Sequence, residues 1–364
     1  MDAIAKILGD LGHEVSSWSF DSDSVVKSRR AQIKQALEIL YQRKDKRAFE
    51  NWISAQDAIQ IHNYFPGITY SNLKSLLNSG VEINRVIHNY RKTCIQGNHF
   101  RSNSLCHKCN RSRRLPGIIR GCYDKNLLSS FFISKYSERI EAFEIKSQAN
   151  YIAISKTISK YLKEIGIDQR IIHLIPNSVS SAPSISANAK DCVFFGRIES
   201  EKGIFQLLEV WKLNSQLPTL HVIGSGTKLR EVRLIASPLE NVIVHGAKYE
   251  AELEEILNKS KVAIFPAIWQ EPFGRTLVES LARGQAIATS TNFSQLDVFT
   301  EGINGSSFAM EGPKILEAVQ KCLNLNIQVQ IKKSQAVWKE NFSPYAVSKF
   351  WDDFYSSISQ DKSK

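Results

Sequence analysis

Two acidic side chains flank a predicted helix start between residues 266 and 279. The segment reads Pro266-Ala-Ile-Trp-Gln-Glu271-Pro-Phe-Gly274-Arg-Thr-Leu-Val-Glu279. The start of a helix offers unpaired N–H groups and the positive end of the helix dipole, which suit a diphosphate. Glu271 can accept hydrogen bonds from sugar hydroxyls, and Glu279 can bind both hydroxyls of a ribose. The alternative is that Glu271 is an ordinary acid at a helix start and Glu279 a surface residue.

A second segment places two cations after a predicted strand. It reads Phe195-Gly196-Arg197-Ile-Glu-Ser-Glu-Lys202-Gly203. When a glycosyl bond to a phosphate breaks, negative charge builds on the leaving oxygen, and Arg197 and Lys202 could stabilise that charge. A mixed surface of Glu and Lys is the alternative for this segment.

The elements around these segments alternate between strand and helix through the second half of the chain. Short apolar runs that end at glycine or polar loops predict strands, and the segments between them predict helices. The predicted strands cover 191–195, 219–223, 241–244, 261–265 and 285–289, and the predicted helices cover about 203–212, 228 onward, 250–260 and 275–283. This order predicts a parallel, doubly wound sheet, whose ligands bind at the carboxyl ends of the strands.

The first half shows a weaker pattern of the same kind. Its predicted strands are 58–61, 84–87, 151–154 and 171–175, and a Ser, Ala and Asn-rich stretch over 178–190 is the best linker candidate. The length of 364 residues suits two domains. No run of apolar residues is long enough to predict a transmembrane helix, so a cytoplasmic location is the expectation.

The motifs taken together resemble those of glycosyltransferase family four, a large group of retaining enzymes with the GT-B fold. The resemblance rests on Gly-Arg-x4-Lys-Gly from Gly196, Val-Ile-Gly-x-Gly from Val222, and Glu-Pro-Phe-Gly-x4-Glu from Glu271. It implies an α/β fold of two Rossmann-like, doubly wound domains that face a central cleft. The expected ranges are 1–178 for the acceptor-binding domain, 179–344 for the nucleotide-sugar domain, and 345–364 for a helix that crosses back to the first domain, with a tail.

The resemblance also implies roles for single residues. Arg197 and Lys202 would bind the donor diphosphate, Glu279 the ribose, and Glu271 the sugar. The loop at Val244 and His245 would contact the base. The remaining residues expected around the nucleotide sugar are Gly196, Gly224, Pro272, Phe273, Gly274, Arg275 and Thr276.

Two histidines in the first half resemble the acceptor-domain loops of one subgroup of that family. They lie in His62-Asn-Tyr-Phe-Pro66 and Ile87-His88-Asn-Tyr-Arg91, each at the end of a predicted strand. His88 is similar to the residue that reaches the transferred sugar and is counted with Arg197, Lys202 and Glu271 as catalytic. A lone histidine at a strand end is more often structural, but two in the same setting favour function.

Four of the six cysteines lie close together, in an expected insertion over about residues 92–124 that belongs to the same subgroup pattern. Cys94, Cys106, Cys109 and Cys122 contain one CxxC pair and could bind a structural zinc ion. Reduced thiols packed in a loop are the alternative. The same segment carries Arg101, Arg111, Arg113 and Arg114, which could grip a phosphate-bearing acceptor.

The formal net charge of +11 lies entirely in the first half of the chain. Residues 1–178 hold 27 Lys and Arg against 16 Asp and Glu, whereas residues 179–364 hold 20 of each. A basic half can attract an anionic membrane surface or a phosphorylated substrate, or it can be a solvated surface. No nucleic-acid partner is expected, because sugar chemistry accounts for the second half.

The start of the chain departs from the family pattern. Family members begin with a strand and a Gly-rich loop, whereas here Asp2 to Leu11 already matches the first helix and Gly12-His13-Glu14-Val15 follows it. The sequence therefore predicts that this strand and loop are missing, which puts full activity in question.

The resulting hypothesis is a retaining glycosyltransferase. It would move a sugar from a nucleoside diphosphate sugar to a glycan or a lipid-linked acceptor in bacterial surface polysaccharide synthesis, at the inner face of the membrane and without a catalytic cofactor. The rivals are another GT-B enzyme such as an epimerase or a phosphorylase, a catalytically impaired binding protein, and a zinc-dependent nucleic-acid binder.

Overall fold

The described residues group into two compact units. A computed structural model of the chain describes residues 2–19, 46–64, 68–110, 114–293 and 298–361. The carboxyl-terminal unit comprises Met1–His13, Phe100–Leu105 and Pro176–Lys364, and the amino-terminal unit comprises Glu14–His99 and Cys106–Ile175. These units differ from the predicted division at residue 178, because the first helix groups with the second half of the chain.

The amino-terminal unit is built on a parallel sheet of four strands in the order β1-β2-β5-β6. Its buried apolar side chains, among them Ile59, Ile61 and Ile83, pack against helices on the sheet. Its elements are α2 (Lys46–Ser54), β1 (Ala58–Ile61), α3 (Tyr70–Ser79), β2 (Glu82–Ile87), α4 (Leu115–Ile119), α5 (Leu127–Lys146), β5 (Asn150–Ala153), α6 (Lys156–Glu164), a 3-10 turn (Gln169–Ile171) and β6 (Ile172–Leu174). The hairpin β3 (Phe100–Arg101) and β4 (Ser104–Leu105) interrupts this chain order and is grouped with the other unit.

Among the residues that the structure describes, β1 is the first strand of this sheet in chain order. Residues 20–45 are outside that description. The predicted loss of a strand and its Gly-rich loop therefore stays a prediction.

The carboxyl-terminal unit has a doubly wound parallel sheet of six strands. Its elements are α1 (Asp2–Asp10), β7 (Asp191–Phe195), a 3-10 turn (Ser200–Lys202), α7 (Ile204–Leu213), β8 (Leu220–Ile223), α8 (Leu229–Ala236), β9 (Val242–Gly246), α9 (Glu250–Lys259), β10 (Ser260–Phe265), α10 (Arg275–Arg283), β11 (Ala286–Ser290), β12 (Gly305–Phe308), α11 (Gly312–Leu323), α12 (Ile327–Asn341) and α13 (Pro344–Asp361). The strand order is β12-β11-β10-β7-β8-β9, so the winding reverses between β7 and β10. Sheets of this kind bind their ligands at the carboxyl ends of the strands where the winding reverses.

Burial explains why the central strands form. β7, β10 and β11 have helices on both faces, and nearly all of their side chains are buried, as parallel strands require. Helix α7 contributes Ile204, Leu207 and Trp211 to the same core, and the Trp211 indole donates to the Pro218 carbonyl at 2.9 Å. This rigid sheet fixes the positions of the strand ends.

The last helix packs within its own unit. Helix α13 contacts α1 and α12, and the His13 and Tyr355 rings lie 5.1 Å apart. Helices α1 and α13 are both grouped with the second half of the chain, and the expected return of the last helix to the first domain stays a prediction. Among the described residues, no helix combines the length and hydrophobicity that a bilayer span requires.

Replacement of Gly203 by alanine is expected to destabilise the chain by about 3 kcal/mol or more, as other core steric clashes do. Gly203 has φ 73°, and a Cβ there would lie 1.7 Å from the Pro266 carbonyl oxygen. Urea unfolding followed by circular dichroism measures the change in the free energy of unfolding.

Gly302→Ala is the matched control, because Gly302 has the same φ of 73° but no atom within 4 Å of the added Cβ. That variant is expected to lose only about 1 kcal/mol from the positive φ. Equal losses in the two variants would show that close packing against Pro266 is not what requires glycine.

Candidate functional site

The loops that follow β7 and β10 are locked together at the point where the winding reverses. The Glu201 carbonyl, in the first loop, accepts from the Ile268 N–H at 2.9 Å. Gly203, where α7 begins, lies so close to the Pro266 carbonyl that no side chain fits between them. These two contacts hold the cation-bearing loop against the loop that carries Glu271.

An ion pair between Lys202 and Glu271 joins the two loops. The Lys202 ammonium contacts Glu271 Oε2, and the two side chains are 19% and 11% exposed. Trp269 Nε1 donates to the same carboxylate oxygen at 3.1 Å, and the ammonium lies 5.3 Å from the centre of the Trp269 ring. The sequence proposed both residues from separate motifs, and the structure brings them together.

Helix α10 begins beside this pair without a side-chain cap. Gly274 is its N-cap residue, with φ 81°, and among the described residues no side chain caps the first turn. A Cβ at Gly274 would lie 2.1 Å from the Phe293 ring, so the glycine is needed for packing. Pro272 and Phe273 are buried just before the helix, so the amides that follow are the groups left to bind an anion.

The other predicted charges are paired with neighbours on their own segments. Glu279 Oε1 accepts from Arg275 Nε at 2.9 Å, one helical turn apart. Arg197 lies 3.6 Å from Glu201 and its side chain is 61% exposed. Both ion pairs are exposed enough to exchange for a ligand at small cost, because surface ion pairs contribute about 1 kcal/mol or less.

Gly196 and Gly224 hold the strand-end loops against each other. A Cβ at Gly224 would lie 1.8 Å from the Gly196 carbonyl oxygen. The Gly196 N–H donates to Ile223 and the Gly224 N–H donates to the Gly246 carbonyl. Their observed role is therefore close backbone packing, while ligand contact by these glycines stays a prediction.

A row of three hydrogen-bonded side chains crosses β7, β8 and β9. Sequence reasoning found only its last member, His245. Asp191 Oδ2 lies 3.2 Å from His221 Nε2, and His221 Nδ1 lies 3.0 Å from His245 Nε2. The strand register skips from Val244 to Gly246, so His245 is the extra residue of a bulge. Bulges redirect side chains, which explains how this ring reaches His221.

The charge of Asp191 fixes the tautomers of His221 and His245. A carboxylate only accepts, so a neutral His221 holds its proton on Nε2 and accepts at Nδ1. His245 then donates from Nε2 and keeps a lone pair on Nδ1. Burial, then the neighbouring His221 and Lys248, lowers the pKa of His245, which keeps it neutral. Half-buried Val244 precedes it on the strand.

His62 and His88 form a second histidine pair, in the amino-terminal unit. His62 Nδ1 lies 3.1 Å from His88 Nε2, and the rings stack with centroids 5.3 Å apart. Arg85 Nη1 donates to the carbonyls of Ile61 and His62, which ties the two strand ends together. Burial lowers the pKa of His62 to about 4 and that of His88 to about 3. Both rings are therefore neutral at pH 7, so His88 can form hydrogen bonds there but carries no charge.

The four clustered cysteines hold free, half-buried thiols. Burial is the main reason that the pKa of Cys109 is raised, and Cys94, Cys122 and Cys106 add to the effect through their charge. The thiols therefore lie near one another. Within the described residues, however, no three His, Cys, Asp or Glu side chains form a group that could hold a metal ion. The zinc hypothesis stays a prediction.

The proposed basic grip on an acceptor phosphate is not formed by Arg114. This side chain is buried, with only 4% of the residue exposed, and Nη2 donates to the Lys92 carbonyl at 2.7 Å. Arg101 is exposed, as predicted for a surface cation. Arg111 and Arg113 lie outside the described residues.

Comparison with known proteins finds a family model that matches a large part of the carboxyl-terminal unit. Residues 180–341 match the family described as glycosyl transferases group 1. A curated relative is an uncharacterized 42.6 kDa protein in the cps region of Klebsiella pneumoniae, 27% identical over 192 residues. The match covers 49% of this chain and only 47% of that protein, about half the length of each.

Solved structures share the fold at low sequence identity. A glycosyltransferase from Rickettsia africae superimposes with a TM-score of 0.63 at 15% identity, covering 98% of this chain and 93% of its own. Alr3699/HepE of Anabaena, in complex with UDP and glucose, gives 0.60 at 14% identity, covering 97% and 88%. The chain has the α/β GT-B fold, as the sequence predicted.

The tautomers of His221 and His245 test the direction of the hydrogen bonds that join them to Asp191. At pH 8, long-range ¹H–¹⁵N spectra of the wild type are expected to show His245 protonated on Nε2. Asp191→Asn is expected to mix the two tautomers, because an amide can donate as well as accept. His173, which lies in the other unit, serves as the internal control. A wild-type His245 protonated on Nδ1 would contradict the proposed hydrogen-bond direction.

Proposed function

We propose that this chain, whose residues 180–341 form a group 1 glycosyl transferase domain, moves a sugar from a nucleoside diphosphate sugar to a hydroxyl group of an acceptor. The acceptor class that we propose is a glycan or a lipid-linked glycan. The proposal includes the donor-binding residues expected from the sequence, with Lys202 and Glu271 at the centre.

The observation that carries the proposal is the Lys202–Glu271 pair beside the open start of α10. A cation, a carboxylate and free helix N–H groups lie on two interlocked loops at the reversal of the sheet. A diphosphate needs positive groups, whereas a sugar needs acceptors for its hydroxyls. These loops offer both kinds of group, where doubly wound sheets bind their ligands.

The proposed chemistry is stabilisation of the leaving diphosphate. The bond from the anomeric carbon to the phosphate oxygen breaks, and Lys202 and Arg197 stabilise the charge that develops there. The amides from Gly274 to Thr276 would bind the same group, and Glu279 would exchange Arg275 for the ribose hydroxyls. No divalent cation is required, because these side chains supply the positive charge.

We further propose that the anomeric configuration is retained. The incoming hydroxyl would bond to the anomeric carbon on the face that the phosphate leaves, and its proton would pass to the departing phosphate oxygen. Glu271 would hold sugar hydroxyls through this step. His88, a neutral imidazole, would hydrogen-bond to the transferred sugar, and His245 with Val244 would contact the base.

The setting that we propose is surface polysaccharide synthesis, in the cytoplasm at the inner face of the membrane. The relative in the cps region of Klebsiella pneumoniae supports such a pathway. The Anabaena structure with UDP and glucose supports a uridine nucleotide as the donor's leaving group. The basic residues of the first half support contact with an anionic membrane, and no nucleic-acid partner is proposed.

A donor panel tests the reaction. The chain is incubated with UDP- and GDP-sugars, and release of the nucleoside diphosphate is followed with and without membrane extract as the source of acceptor. Lys202→Ala and Glu279→Ala are each expected to lower transfer about 100-fold or more, as the loss of one transition-state contact does. Anomeric configuration in the product is read by NMR.

Lys314→Ala with Glu317→Ala is the matched control, because these residues form an exposed ion pair on α11. Melting temperatures accompany each assay, since Lys202→Ala leaves Glu271 unpaired, which costs a few kcal/mol for a buried pair. Transfer at the wild-type rate in a folded Lys202→Ala variant would contradict the proposal. A donor sugar that is epimerised without transfer would assign the site to an epimerase instead.

A further inference from the structure

The amino-terminal unit exposes a cluster of large apolar side chains on two consecutive helices. Their exposed fractions range from 43% to 66%, although residues of these types are usually buried. We call this cluster the apolar face; its members are Leu115 and Ile119 of α4, and Leu127, Leu128 and Phe131 at the start of α5.

Helix geometry aligns these side chains. Leu115 and Ile119 are four residues apart on α4, as are Leu127 and Phe131 on α5, and residues at this spacing share one side of a helix. The two helices pack against each other. The opposite side of α5 faces the fold, where Ser130, Ile133 and Ser134 are buried.

A large part of each of these side chains is left in contact with water. Single exposed apolar residues are ordinary, but a group of five within seventeen positions marks a surface that binds a partner or a membrane. Withdrawal of the exposed part of each such side chain from water would stabilise a complex. A surface that removes them from water therefore has a large driving force.

The charge around the apolar face identifies what covers it. The segment that joins α4 to α5, residues 120–126, carries two cations, Arg120 and Lys125, and one acid, Asp124. Arg120 and Lys125, between the two helices, are exposed and form no ion pair with a described residue. Cations in this position attract the protein to an anionic lipid surface.

We infer that the apolar face docks on the surface of an anionic phospholipid bilayer. Apolar side chains such as Ile119 and Phe131 enter the boundary between headgroups and acyl chains, while Arg120 and Lys125 bind lipid phosphates. The combination of apolar insertion and cationic attraction is what reversible membrane binding requires. A nucleic acid would use the cations but leave the apolar side chains in water.

This inference deepens the proposed membrane location by giving it a surface. It rests on the proposed function only for its biological meaning, because vesicle binding needs no donor and no sugar transfer. Either proposal can therefore fail while the other stands.

Vesicle sedimentation tests the docking surface. The full chain is mixed with vesicles of phosphatidylcholine alone or of phosphatidylcholine with phosphatidylglycerol. We expect it to sediment only with the anionic vesicles, less strongly as salt rises. The double variant Ile119→Ser, Phe131→Ser is expected to bind at least ~10-fold more weakly, because two apolar side chains no longer leave water. Arg120→Ser with Lys125→Ser is expected to weaken binding and its salt dependence.

Leu213→Ser with Leu234→Ser is the matched control, because these leucines are 72% and 68% exposed on the carboxyl-terminal unit. It is expected to bind vesicles like the wild type. Circular dichroism verifies that every variant is folded. Equal binding to both kinds of vesicle, or unchanged binding by the Ile119→Ser, Phe131→Ser variant, would overturn the inference. Binding only to an acidic protein and not to vesicles would do the same.

Discussion

The structure of the candidate site depends on one steric interlock, the contact of Gly203 with the Pro266 carbonyl. It brings the loops after β7 and β10 so close that Glu201 accepts backbone hydrogen bonds from Ile268. Lys202, next to that glycine, then forms an ion pair with Glu271 on the other loop. A buried ion pair repays its desolvation only when its geometry is good, and here rigid backbone contacts supply that geometry. The pair is therefore formed before any ligand arrives, and a diphosphate would share the cation with the carboxylate.

Local sequence was sufficient to predict the elements but not the partners of their side chains. The predicted helix 275–283 and strands 58–61 and 191–195 match the structure, because each ends at a glycine or a polar loop that stops its pattern. The pairing of Lys202 with Glu271 could not be predicted without the strand order, which places β7 next to β10. Pairing of Arg275 with Glu279 was visible in the sequence as a spacing of four on a helix. Asp191 and His221 gave no local signal, since one begins a strand and the other is buried inside the next.

The cations of the first half of the chain fall into two groups, one that stabilises the fold and one that is exposed on the surface. The side chains of Arg85, Lys92 and Arg114 are 11% exposed or less, and their bonds to backbone carbonyls or to Glu144 hold the fold together. Arg120 and Lys125 are exposed beside apolar side chains and face the solvent. Composition alone counts both groups equally, and only burial separates structural cations from those that can attract a partner. Arg114 belongs to the cations that hold the fold together, and its burial is the reason that it does not form the predicted contact with an acceptor phosphate.

A double-mutant cycle on nucleoside diphosphate binding tests whether the Lys202 ammonium binds the diphosphate. Calorimetry with UDP and GDP would compare the wild type with Lys202→Met, Glu271→Gln and the double variant. If the ammonium binds the diphosphate, Lys202→Met is expected to weaken binding about 10-fold or more, as loss of a charged hydrogen bond does, and the double variant should stay as weak. Wild-type affinity in the double variant would show that Lys202 only neutralises Glu271, which would contradict the account.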